Sequence, residues 1–206
     1  MRIAVVGAGA IGSYLGARLS VAGHDVTLVG RAEHVAAIAA RGLTLRDTRT
    51  GAVSHHALRA MTVLAERPDL ILLTVKTQDV TAACAAIADV AGGVPVVAAQ
   101  NGVRGDDLAA SALGREVVLG AIVMCAATYL RPGEVSVEFP GWLVLGEPFG
   151  PVTVRTRAVA ALFDAALPTH VARDIARVRW SKLVANLNNG VAAATGLTLP
   201  EIARTP

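Results

Sequence analysis

The chain has 206 residues, enough for one well-buried domain and part of a second. Hydrophobic residues make up 53%, largely Ala and Val spread along the chain, and no run of about 18 uncharged apolar residues appears, so no membrane span is expected. A net charge of +3, scattered arginines and 3% aromatics provide neither a stacking platform nor a basic stripe, which argues against nucleic acid and suits a small anionic ligand.

In chain order, RIAVVG reads as a strand and AIGSYLGARLSVAG as a helix ending at Gly23. The opening MRIAVVGAGAIG has a basic residue before an apolar run, as a leader peptide would, but its glycine spacing marks a strand and turn of the fold. DVTLVGR is a second strand and AEHVAAIAARG a second helix. LTLRDTRTGAVSHHALRAMT alternates apolar and polar residues about a Thr-Gly turn and is expected to form an extended hairpin. DLILLTVKT is a continuous apolar strand, DVTAACAAIADVAG a helix, and VPVVAAQNG another strand. Continuous apolar strands separated by helices imply a parallel sheet covered on both faces. EVVLGAIVMCAATYL follows, then GEVSVEFPGWLVLGE, expected to hold two short β pieces around FPG. TVRTRAVAALFDAAL reads as a helix, THVARD as a short extended piece, and a long helix comes last. The texture turns from α/β to helix near residue 170, which divides the chain into 1–170 and 171–206.

Gly7, Gly9 and Gly12 stand in G-x-G-x-x-G spacing directly after the first strand and at the start of a helix. That context makes the pattern a dinucleotide-binding loop: a tight turn, close backbone approach to a pyrophosphate, and close helix–strand packing. The helix N-terminus behind it, beginning at Ala10 and Ile11, favours an anion. The second strand ends in LVGR, with Gly30 and Arg31 where an NAD site usually has an acid. A guanidinium suits a 2′-phosphate, so NADP(H) is the expected cofactor.

Further polar residues stand at strand C-termini, where ligands of an open parallel sheet sit. They are Thr74, Lys76 and Gln78 in LILLTVKTQ, and Gln100, Asn101 and Gly102 in VPVVAAQNG. The plain alternatives are a solvated strand end for Lys76 and a simple Asn-Gly turn. His24, His34, His55, His56 and His170 lack metal-ligand spacing and receive no catalytic or metal role. Cys84 and Cys125 are expected to be small buried filler, which fits a reducing cytoplasm.

On the last helix Lys182, Asn186 and Asn189 share one face, at i, i+4 and i+7. Trp180, Val184, Leu187 and Val191 fall opposite, where they are expected to pack on protein. The wheel alone leaves a solvated face and a ligand-facing one equally open.

Taken in order, GAGAIG, LVGR, TVKTQD, QNG, PGEV and VRWSKLVANLNN resemble the ketopantoate reductase (2-dehydropantoate 2-reductase) family through essentially the whole chain. The resemblance implies an α/β fold: an N-terminal NADP-binding Rossmann domain, then the start of an all-helical substrate domain. It implies NADPH-dependent reduction of ketopantoate to pantoate, a step toward pantothenate and coenzyme A. Lys182 would be the catalytic lysine, and Asn186 and Asn101 would bind substrate, with Asn189 beside them. The cofactor set would be Gly7, Gly9, Ala10, Ile11, Gly12, Arg31, Thr74, Lys76, Gln78, Asn101 and Gly102. Two departures stand out. Gly190 occupies a place where the family often has asparagine, with Asn189 one position early. Family members also continue for roughly another hundred residues of helix, which normally supply a serine and a glutamate to the site. The other readings are a reductase of a different 2-oxo acid or an imine, and an NADP(H)-binding module without a competent substrate site. Exposed Leu183, Leu187 and Leu197 would favour self-association.

Overall fold

The structure, a computed structural model, describes residues 1–202 and 204, without the side chains of residues 188 and 199. Among the described residues the strands form one ten-stranded sheet. Six of them are parallel: β1 (Arg2–Val6), β2 (Asp25–Val29), β5 (Arg59–Met61), β6 (Leu70–Leu73), β7 (Val96–Ala98) and β8 (Val118–Arg131). They lie in the spatial order β5-β2-β1-β6-β7-β8, the doubly wound dinucleotide-binding order. The strand order reverses between β1 and β6, and the crevice for a ligand opens there, beyond their carboxyl ends.

Continuous apolar runs make β1 and β6 central strands. Ile3 and Val5 face one core, with α1 (Ala10–Val21) and α5 (Val154–Asp164). Ala4 and Val6 face the other, with α3 (Val80–Ala91) and α4 (Gly105–Leu113). Successive residues therefore bury on opposite faces. Each fully buried leucine or isoleucine here contributes about 1.5–3 kcal/mol relative to exposure.

The stretch expected as a single hairpin does two jobs. After α2 (Ala32–Arg41), β3 (Leu43–Asp47) and β4 (Val53–His56) do pair antiparallel, but β5 leaves the hairpin and adds to β2 at the opposite sheet edge. The segment around FPG also differs from expectation. β9 (Glu134–Gly146) is a single long strand, antiparallel to β8 and parallel to β3. Pro140 cannot donate to the ladder and Gly141 takes a left-handed φ of 60°. Between the pairs Met124–Trp142 and Ala126–Phe139 the register shifts, so the chain bulges and resumes pairing instead of breaking.

β10 (Thr169–Val171) pairs with β9 and leads into α6 (Ile175–Thr195), with α7 (Leu199–Ile202) after it. The Asp174 carboxylate caps α6 by accepting from the Arg177 N–H. Trp180, Val184 and Leu187 are 58–63% exposed, contrary to the expected packing. The helix reaches β8 and β9 from the side that carries Ile175 and Arg179, and the described residues bring nothing over its other face. No helix among the described residues is long and apolar enough to cross a membrane.

Candidate active site

The Gly-rich loop is held from three sides. The Gly7 and Ala8 N–H groups both donate to the Val29 carbonyl at 2.9 Å, and the Thr74 hydroxyl donates to the Gly7 carbonyl at 2.8 Å. Gly7 has a φ of +106°, and a Cβ there would meet the Val75 nitrogen at 2.5 Å. A Cβ on Gly12 would collide with the Gly7 carbonyl and the Thr74 hydroxyl. Gly9 is different: a Cβ there would meet nothing within 4 Å and would project into open space. α1 starts without a side-chain cap, so its first N–H groups, at Ala10 and Ile11, keep their donors for an incoming group. These donors and the helix dipole make a seat for an anion.

Two clefts meet at the loop. One, of about 600 Å³, is lined by Gly7, Gly9, Gly30, Arg31 and the β6 end. The other, of about 890 Å³, is lined by Gly9, Ala10, Ile11, Asn101, Lys182, Asn186 and Asn189, among others. Thr74, Val75, Lys76, Gln78 and Gly9 border both. Both volumes lie in the ordinary range for ligand sites. Lys76 has no side-chain partner among the described residues, so its ammonium is free at the junction. Arg31 lies with its guanidinium 5.8 Å from the Tyr129 ring centroid, at the mouth of the first cleft. The Thr74 hydroxyl is committed to the loop, so Thr74 acts by holding it. Gly102 lines neither cleft; its carbonyl accepts from Arg179 at 3.4 Å.

The Lys182 ammonium donates to Asn101 Oδ1 at 2.8 Å and to the Val123 carbonyl at 2.5 Å. An ammonium has three donors, so one remains for an oxygen in the cleft. Burial lowers the Lys182 pKa from the ordinary lysine value, and the Arg179 charge lowers it further. Such a group can stabilise a developing oxyanion and release a proton to it. Asn186 and Asn189 border the same cleft and make no side-chain hydrogen bond among the described residues. The early position of Asn189 therefore still leaves it on the cleft wall. Cys84 is buried filler as expected, but Cys125 is half-buried and lines the Lys182 cleft, with burial pushing its thiol up to about 12.

Three features escaped the sequence. Arg179, 3% exposed, forms a bidentate ion pair with buried Asp106. Gln100 turns inward and donates to the Leu73 and Val75 carbonyls, stitching the β6 end to the β7 end. Buried His34 accepts from the Gly133 N–H through Nδ1, which leaves Nε2 as the donor to Ser13 Oγ and ties α1 to the β8–β9 turn. An i, i+3 spacing to Lys182 was the available signal for Arg179; the strand-end position had singled out Gln100, whose amide turns to the Leu73 and Val75 carbonyls and not to a ligand, and His34 had no signal.

The family described as Ketopantoate reductase PanE/ApbA matches residues 3–149. The 2-dehydropantoate 2-reductase of Pyrococcus horikoshii is 31% identical over 187 residues, covering 90% of this chain and 61% of that protein. The chain thus spans about three fifths of that relative's length. A putative ketopantoate reductase from Ralstonia solanacearum superposes with a TM-score of 0.90 at 33% identity, over 100% of this chain and 71% of the other. D-mandelate dehydrogenase, in a ternary structure with NADH and anilino(oxo)acetate, superposes with a TM-score of 0.89 at 25% identity, over 100% of this chain and 68% of the other. With the fold order, the glycine loop and the Lys182 cleft in the same chain, these likenesses have one reading: the chain belongs to the ketopantoate reductase PanE/ApbA family, whose fold binds NAD(P)H.

Proposed function

We propose that this chain carries an NADPH-dependent reductase of 2-oxo acids, with ketopantoate as leading substrate and pantoate, on the route to pantothenate and coenzyme A, as product. The observation that carries the reading is Lys182, hydrogen-bonded to Asn101 at 2.8 Å, in a cleft that also contains the glycine loop. The uncapped α1 start and the open space at Gly9 fit a dinucleotide pyrophosphate. Gly7 and Gly12 let the loop close, Ala10 and Ile11 lend N–H groups, and Lys76 and Gln78 border the path of the cofactor. Arg31 is the candidate partner of a 2′-phosphate. A reduced nicotinamide, when bound, supplies the hydride. Asn101, Asn186 and Asn189 orient the 2-oxo acid through their amides. Lys182 donates to the ketone oxygen, stabilises the charge that builds on it and gives it a proton. Thr74 and Gly102 serve as supports of the loop and of the Asn101 turn.

In this reading residues 1–170 form the dinucleotide-binding unit and residues 171–206 begin a helical substrate unit. The protein is cytoplasmic, takes neither nucleic acid nor membrane as partner, and self-associates through the exposed helical-domain surface that carries Leu187 and Leu197, Leu183 being half-buried. The likeness to D-mandelate dehydrogenase favours a second reading, another 2-oxo acid reduced at the same lysine. A third reading is a dinucleotide-binding protein without turnover. The test is NADPH consumption by the purified chain with ketopantoate, with phenylglyoxylate in parallel. Turnover of ketopantoate well above the aromatic acid is expected. Preference for the aromatic acid selects the second reading, and tight NADPH binding without turnover of either selects the third.

A further inference from the structure

We propose that Arg179 is a positioning residue for the Lys182 site: locked by Asp106, its guanidinium grips the carbonyls on both sides of Asn101 and so fixes where the lysine meets its partners. The proposal rests on Lys182 being the proton donor. Arg179 lies three residues before Lys182, on the same side of α6. Its Nε and one Nη donate to the two Asp106 oxygens, both at 2.6 Å. Its other donors reach the carbonyls of Ala98 at 2.9 Å, Gln100 at 2.8 Å and Gly102 at 3.4 Å. All five N–H groups thereby find acceptors. Ala98 ends β7, and Gln100 and Gly102 flank Asn101 on either side. The same helix that carries Lys182 therefore clamps the turn that carries its hydrogen-bond partner.

A well-packed apolar pair would hold the helix about as firmly as this buried ion pair. What only a planar, five-donor fork provides is the simultaneous fixing of three backbone carbonyls and a carboxylate. The charge has a second effect. The groups bearing on the Lys182 ammonium are Arg179 on its own helix and Cys125 on β8. Burial keeps the thiol protonated, so the Arg179 cation is the formal charge that adds to burial in lowering the lysine.

The test is Arg179→Met combined with Asp106→Asn, which removes both charges and leaves no buried ion unpaired. Lys182 is titrated by NMR through its Cε carbon in protein labelled with 13C-lysine, NADPH affinity is measured by fluorescence, and kcat and its pH profile follow with ketopantoate. A fall in kcat on the order of 10- to 100-fold is expected, as for about 1 Å of misplacement. NADPH affinity stays within about twofold, and the Lys182 titration moves up toward the ordinary lysine value. A folded double variant with unchanged kcat and unchanged Lys182 titration overturns the proposal. Arg179→Lys keeps a cation beside Asp106 and loses the fork; an intermediate rate supports the proposal, and a parental rate overturns it. The NMR spectrum needs no turnover, so a parent inactive on every 2-oxo acid would count against the proposed reaction, while a Lys182 side-chain signal unmoved in both position and titration in the double variant would still overturn the role of Arg179.

Discussion

Replacing Lys182 with Met is the most direct test of the chemistry. The side chain is half-buried and spends two of its donors on Asn101 and Val123, at 2.8 and 2.5 Å. Met keeps most of the apolar stem, and the two acceptors it abandons face a cleft of about 890 Å³ that admits water. The stability change should thus stay near 1 kcal/mol or below. The effect on rate is of another size. Losing one preorganised donor to a developing oxyanion costs about 2.7–4 kcal/mol, or 10²–10³ in kcat. Losing a general acid costs on the order of 10²–10⁴. The two roles sit in one group and do not add, so kcat should fall on the order of 10³-fold. NADPH affinity should change less than about threefold, because the glycine loop and Arg31 are untouched. The assay pairs steady-state NADPH consumption with fluorescence titration of NADPH and a thermal melt. A variant that folds, binds NADPH and keeps kcat within about threefold of the parent would remove Lys182 from the mechanism.

Gly9→Ala and Gly12→Ala should separate binding from folding. Ala at Gly9 meets nothing within 4 Å and has an ordinary negative φ of −83°, so the melt stays put while NADPH affinity falls at least about tenfold. Ala at Gly12 strikes the Gly7 carbonyl and should lower stability by about 1–3 kcal/mol as well; equal melts for the two variants would contradict the geometry. Arg31→Ala should weaken NADPH by about 1.5–3 kcal/mol, or roughly 10- to 150-fold, and leave NADH nearly unchanged; competitive titration of the two reads this, and parallel losses would remove the 2′-phosphate assignment. Burial chiefly, with the Arg31 charge adding, lowers the His34 pKa below 6.5. Its contribution to stability is then full above 6.5 and is lost as pH falls through its folded value. Urea unfolding of the parent minus His34→Gln should show that slope on the acid side, and a flat difference would refute the buried neutral imidazole.

The half of the fold that was legible rests on local rules. The apolar runs of β1, β6 and β7 read as buried strands, and the glycine spacing marked the tight turn from a strand into a helix. The misread segments were those where a distant partner decides. Nothing within LTLRDTRTGAVSHHALRAMT says that its last three-residue strand, Arg59–Met61, prefers the edge of β2 to the hairpin beside it. Likewise Pro140 and Gly141 look like a break until fourteen-residue β8 runs past them and absorbs the extra residue as a bulge.

The site divides in the same way, and the division bears on how it works. In the proposed site Gly7, Gly9 and Gly12 would act through the backbone, so their spacing alone suggests the loop. In the proposed site Lys182 and Asn186 would act through side chains on one helix; a wheel puts them on one face but leaves open whether that face meets ligand or solvent. What neither can supply is the registration of that helix against the sheet. Asp106 and Arg179 are 73 residues apart, and each alone looks ordinary, an acid in a first helical turn and an arginine on a helix. Their burial together, with the carbonyls around Asn101 in reach of the same guanidinium, is what the proposal makes the lysine's fixed address. An α6 that slid by one residue would move Lys182 about 1.5 Å along its axis and turn it about a quarter of the way around. Such a slide would separate Lys182 from Asn101 while every motif remained intact. In this chain the motifs name the parts, and the Arg179–Asp106 clasp is the proposed reason that they meet.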